Sequence, residues 1–194
     1  NSSTNWKAVS CNNSRNIAVK EDGTLWVWGM NSPALGVLGS GSSVSHITVP
    51  TQIGTETNWK EAVSGMGHFL AVKNDGTLWV WGGGTNGQLG TGNTSNIFLP
   101  TQIGTDINWA TVASDNQFSL GIKTDGTLWA WGQNFNGILG DGTQTNLLVP
   151  TQITTDTNWA AIAASFAATI ALKTDGSLYA WGSNQFGSLG NFSN

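Results

Sequence analysis

The sequence predicts an all-β chain of stacked, four-stranded antiparallel sheets, and three observations predict it. An eight-residue phrase is written four times, as DGTLWVWG from Asp22 and again from Asp75, DGTLWAWG from Asp125 and DGSLYAWG from Asp175. Other phrases travel with it: Asn-Trp at Trp6, Trp59, Trp109 and Trp159, Leu-Gly at Leu38, Leu89, Leu139 and Leu189, and Pro-Thr-Gln-Ile from Pro50, Pro100 and Pro150. The tryptophans step by 53, 50 and 50 residues, and a period near 50 with turn residues at every step belongs to propellers and solenoids. Finally, each unit holds an Asp-Gly between two runs of β-branched and aromatic residues, which is the strongest short-range hairpin signal.

Each element follows in order. The stretch WKAVS (6–10) reads as a first strand, NIAVK (16–20) as a second and TLWVW (24–28) as a third. The turn between the second and third is built on Asp22 and Gly23, and its copies on Asp75 and Gly76, Asp125 and Gly126, Asp175 and Gly176. Those glycines supply the positive φ of a tight turn. The stretch TVPTQI (48–53) is a fourth strand, and its proline confines it to a sheet edge or a strand start.

Side chains alternate along a strand, so Trp26 and Trp28 share one face while Leu25 and Val27 share the other. Both faces are apolar. The strand is therefore expected to be covered on both sides, as in a blade between two blades. The units run 1–53, 54–103, 104–153 and 154–194, the last being incomplete because no fourth Pro-Thr-Gln-Ile follows it.

Composition narrows the function. Only 9% of residues are charged, and 26 glycines accompany 11 tryptophans, which excludes a charged disordered chain and a coiled coil. A net charge of −4 offers no basic footprint for nucleic acid. No apolar run approaches the ~18 residues of a membrane helix. Cys11 is the single cysteine, so no internal disulfide forms, and a small buried or half-buried thiol is expected.

Catalytic chemistry has little to draw on. Lys20, Lys73, Lys123 and Lys173 each precede the turn aspartate by two residues, so these eight repeat-locked charges read as turn chemistry and solvated pairing. Glu56, Asp106 and Asp156 read as parts of a recurring loop. His46 and His68 lie at different places in their units and make neither a metal site nor a triad. The calcium-like stretch DGTQTN (141–146) has no carboxylate in its counterparts. The chain is accordingly expected to be no enzyme and to carry no cofactor or metal, with a small-molecule ligand disfavoured.

The pattern NW…AVK.DGTLWVWG…GQLG…PTQI resembles the repeat of the regulator of chromosome condensation family. The resemblance implies a β-propeller of four-stranded blades, usually seven to the ring, and a role in binding proteins. The exchange activity of the family's founder does not carry over, because no interacting hairpin or basic tail is recognisable. The Trp-, Asn- and Thr-rich version is similar to bacterial extracellular members, which suggests an extracellular or cell-surface place.

Four units are fewer than such a ring needs. Two copies closing an eight-bladed ring are the preferred homodimer, with a closed four-bladed ring as the alternative.

Function is expected where the units differ, in the connections between first and second strands. Aligned on the lysines, Arg15, His68, Phe118 and Ala168 share one position, and Asn13, Met66, Asn116 and Phe166 share another. All of these but Ala168 are the candidate interaction loops, offered to an unidentified protein or to a second copy. The alternative is a carbohydrate-binding propeller in which Phe118 or Phe166 stacks on sugar.

Overall fold

The computed structural model describes residues 4–32, 38–41 and 44–190, and the chain folds there into four antiparallel sheets. The first holds β1 (Trp6–Asn12), β2 (Arg15–Lys20), β3 (Leu25–Met30) and β4 (His46–Ile53). The second holds β5 (Trp59–Ser64), β6 (His68–Lys73), β7 (Leu78–Gly82) and β8 (Ile97–Ile103). The third holds β9 (Trp109–Asp115), β10 (Phe118–Lys123), β11 (Leu128–Gly132) and β12 (Leu147–Gln152). The fourth holds β13 (Trp159–Ala164), β14 (Ala168–Lys173) and β15 (Leu178–Gly182). Every sheet is a meander in chain order. The first strands contact one another in the order β1, β5, β9, β13, so they form the inner row. The proline-bearing strands β4, β8 and β12 take the free edges, where a missing N–H does no harm.

The repeated phrase spells out a turn and what it holds. Asp75 Oδ1 accepts the Thr77 backbone N–H at 3.0 Å and its hydroxyl at 2.7 Å. Trp79 Nε1 then donates to the Thr77 hydroxyl at 2.9 Å. The same relay links Asp22, Thr24 and Trp26, and again Asp125, Thr127 and Trp129. These turn bonds hold all four aspartate pKa values below the ordinary carboxylate range. Gly76 has φ +79°, and a β-carbon there would collide with the carbonyl oxygen of Ile107 at the entrance to the next blade.

Blades stack leucine face to tryptophan face. Ile17, Val19, Leu25 and Val27 pack on Trp59, Phe69, Ala71 and Trp81 of the second blade. Leu70, Val72, Leu78 and Val80 meet Trp109 and Trp131 of the third, and Ile122 and Leu128 meet Trp159 and Ala171 of the fourth. The Leu-Gly phrase clasps the second and third joints. Leu89 and Leu139 are buried, and the carbonyls before them, of Gln88 and Ile138, accept Trp131 Nε1 at 2.9 Å and Trp181 Nε1 at 3.0 Å. Leu25, Leu78 and Leu128 are 0% exposed, whereas Leu178 is 67% exposed. The fourth blade thus presents a bare leucine face among the described residues, and the array is an open arc.

The lysines depart from expectation. Lys73 and Lys123 are buried, and they pair with Glu56 at 2.7 Å and Asp106 at 2.8 Å instead of with the turn aspartates. Each ammonium lies over indole, Lys73 at 3.5 Å from the Trp79 centroid and Lys123 at 3.7 Å from that of Trp129. The loop acids and aromatic faces compensate a charge that burial would otherwise penalise. Cys11, expected to be at least half-buried, is exposed.

Candidate functional site

The connections between first and second strands are laced together at one end of the inner row. Arg15 Nη1 donates to Met66 O at 2.6 Å, the Met66 backbone N–H to Asn116 O at 3.0 Å, and Asn116 Nδ2 to Phe166 O at 3.5 Å. Asn12 Nδ2 reaches past the second blade to Asp115 Oδ1 at 2.6 Å. Four connections about 50 residues apart in sequence therefore make one continuous surface. Asn13, Met66 and Phe166 are exposed and Asn116 is half-buried. Asn13 and Asn116 adopt positive φ, +42° and +30°, which asparagine tolerates better than other side chains do.

Their companions in sequence belong to strands instead of loops. Arg15, His68, Phe118 and Ala168 open the second strands, and all four are buried, which corrects their placing on exposed loops. The reason is alternation. Phe118, Leu120 and Ile122 fall on one side of β10, and Phe118 and Leu120 pack with Ala130 and Leu139. Phe118 is therefore core and offers no face to a sugar.

His68 is enclosed, with Nε2 3.0 Å from Ser119 Oγ. The Ser119 hydroxyl donates its proton to Gln88 O at 2.8 Å, so it accepts from His68, which is neutral with its proton on Nε2. Burial drives the His68 pKa down to about 3, and no acid or base work at neutral pH falls to it. Glu61, whose pKa is raised by burial, accepts the Val112 N–H at 2.8 Å and serves the second joint. Among the described residues no group of three or more His, Cys, Asp or Glu side chains could hold a metal. No described helix is long and apolar enough to cross a membrane.

A cleft of about 430 Å³ opens on the rim between the second and third blades. Trp109, Trp129, Gln102, Asp106, Thr91 and Pro150 line it. Its tryptophans and carboxylate already hold Lys123. No sequence signal separated this cleft from packing, because its residues are repeat-locked.

Stacked meander blades with a laced inner end define a propeller-type repeat protein. The chain belongs to the regulator of chromosome condensation (RCC1) repeat family: one repeat model matches residues 6–32, 61–88, 110–138 and 159–188, and another matches 75–122 and 125–172. The mouse regulator of chromosome condensation is 34% identical over 82 residues, covering 42% of this chain and 20% of the relative. The ultraviolet-B receptor UVR8 of Arabidopsis thaliana is 35% identical over 80 residues, 40% of this chain and 18% of that protein. Among solved structures, Prp20p of Saccharomyces cerevisiae superposes with a TM-score of 0.82 at 19% identity, over 96% of this chain and 47% of that one. Human WBSCR16 gives 0.79 at 21% identity, over 91% and 47%. The chain thus spans about half the length of these structures and matches about a fifth of the curated relatives.

Proposed function

We propose that this chain is a non-enzymatic protein-interaction scaffold and that a second copy of the chain is its first partner. The observation that carries this reading is the bare leucine face of the fourth blade. Leu178 is 67% exposed where its three counterparts are 0% exposed, and Ile170 and Leu172 beside it are partly open. All three internal joints set such a face against tryptophans, and the first blade presents Trp6, Trp26 and Trp28 on the complementary side. A fourth joint between copies would repeat a contact the chain already makes three times, and burying one leucine contributes roughly 1.5–3 kcal/mol. Two copies joined at both ends form a closed ring without bare faces. The laced inner end, with Met66 and Phe166 outward, is the surface left for other proteins. A protein partner is also supported by Prp20p, a protein of the same fold that binds Gsp1p and histones.

Light scattering at micromolar concentration tests the reading. The expected mass is about twice the 20.4 kDa chain, falling to one chain mass in Leu178→Asp. A parent protein that stays at 20.4 kDa and unfolds cooperatively rejects it. A carbohydrate-binding role has one observation in its favour, the rim cleft with tryptophan beside Gln102 and Asp106. A glycan screen in which Gln102→Ala removes a signal shown by the parent would select that role.

A further inference from the structure

Arg15 carries the chain's one guanidinium, which is buried, and among the described residues nothing negative faces it. It is 6% exposed, and no carboxylate of the described residues lies within 4.0 Å of it. Of its five N–H groups, one donates to Met66 O at 2.6 Å and one to Met30 Sδ at 3.8 Å. Both acceptors are uncharged. Nε is buried with no partner at all. A buried charge with no counter-charge costs several kcal/mol, and the buried lysines of the same fold each have an acid. Arg15 breaks that rule.

The guanidinium borders a hollow of about 210 Å³ at the laced end, shared with Asn13, Met66, Thr85, Gln88 and Gln117. Its amides are prearranged. Asn86 donates its backbone N–H to Gln88 Oε1 at 2.8 Å and its side-chain amide to Gln117 Oε1 at 2.5 Å. Both carbonyl ends are thereby occupied, and the NH₂ ends of Gln88 and Gln117 keep their hydrogens to give. The hollow therefore brings together a cation and amide donors, without a negative group. Its volume is below the ~300–1,000 Å³ of drug-sized sites, so it suits one small anion or one side chain.

We propose that this hollow is a carboxylate socket in which the Arg15 guanidinium is the recognition group. A guanidinium fork matches a carboxylate in shape. One positive charge balances one carboxylate, whereas a phosphate dianion would leave a negative charge uncompensated beside Met66. The carboxylate comes either from a free small acid or from a Glu or Asp side chain of a bound protein. Burial also lowers the Arg15 pKa, a direction that a bound anion opposes. The socket is lined by residues of the first three blades and shares none with the bare leucine face of the fourth, so its test does not depend on whether the chain pairs with a copy.

The thermal midpoint of the intact chain is measured against acetate, N-acetyl-glutamate α-amide, inorganic phosphate and sodium chloride at matched ionic strength. The expected result is a saturable rise with both carboxylates, none with chloride, and loss of the saturable part in Arg15→Met. A flat response in the parent, a rise that survives in Arg15→Met, or a larger rise with phosphate overturns the proposal. The Arg15 Nε–H resonance of the parent gives a second readout that needs no variant: it shifts to saturation with acetate, and a shift no different from that in chloride overturns the proposal as well. A stronger response to the blocked glutamate assigns the socket to a partner's side chain, and a stronger response to acetate assigns it to a free acid.

Discussion

Trp59 starts its strand by donating its backbone N–H to the carbonyl oxygen of Gly23, 3.1 Å away in the preceding blade. Trp109 does the same to Gly76 at 3.0 Å, and Trp159 to Gly126 at 3.1 Å. The hairpin glycine therefore has two tasks: it makes a turn, and it holds the entrance of the next blade.

Comparing two glycines separates these tasks. Gly126 (φ +78°) lies against the Thr157 carbonyl, whereas Gly176 (φ +86°) has open space where a β-carbon would go. In a Leu178→Asp background, where no copy packs on the fourth blade, Gly176→Val should cost only the backbone strain, roughly 1–2 kcal/mol. Gly126→Val should lose that and the joint as well, a clearly larger drop in the urea midpoint. Equal drops would refute the second task.

The buried histidine makes stability depend on pH. Its folded pKa, about 3, is below the ordinary value of 6.5, so the unfolded chain takes up a proton that the folded chain refuses. The His68 contribution is fully present above about 6.5 and is lost as pH falls toward 3, by up to roughly 1.4 kcal/mol per pH unit. His68→Phe, which installs the side chain found at the equivalent position of the third blade, should remove this slope. Denaturant unfolding of both proteins between these limits checks it, and parallel profiles would show that His68 is not the titrating group.

The relay in the repeated phrase can be cut at its middle. Thr77→Val keeps the shape but removes the hydroxyl between Asp75 and Trp79, at a cost on the order of 1–2 kcal/mol. Asp75 should titrate closer to an ordinary aspartate in the variant, because the Thr77 bonds are what lower its pKa. Carboxyl NMR reads that shift directly. Ser177→Ala should cost less, since Tyr179 has no indole N–H to pass the relay on.

Exposed and buried members of the laced end should behave differently. Phe118→Ala empties a core site and should cost about 3–5 kcal/mol. Met66→Ala with Phe166→Ala should leave the unfolding midpoint within about 0.5 kcal/mol of the parent while weakening capture of any bound protein. A large loss of stability in that double variant would contradict the exposure of the two side chains.

Much of this fold was legible because local chemistry writes it. Asp-Gly between β-branched runs marks the hairpins, and Trp26 and Trp28 alternating with Leu25 and Val27 mark a strand covered on both sides. Adjacency in sequence points Lys73 to Asp75, whereas the folded chain brings it Glu56, 17 residues away. Asn12, Asn13 and Ser14 before Arg15 read as a loop that carries it along. The alternation Arg15, Ile17, Val19 was the available signal that it belongs to a strand face. The relation of Gln88 and Gln117 to Arg15 left no trace in sequence. Three blades have to stack before those side chains share a hollow.

The hand-over of each hairpin carbonyl to the next tryptophan gives the array a direction, and with it a way to change. Each blade offers one kind of face forward and the other kind backward, and every joint is drawn from the same pair of surfaces. Duplicating a whole unit by recombination between repeats would insert a blade whose contacts already exist on both sides, with no second change required. Losing half a unit would strand one face of each neighbour. Copy number is therefore the variable this architecture leaves open to evolution, while the length of a single unit is tightly held.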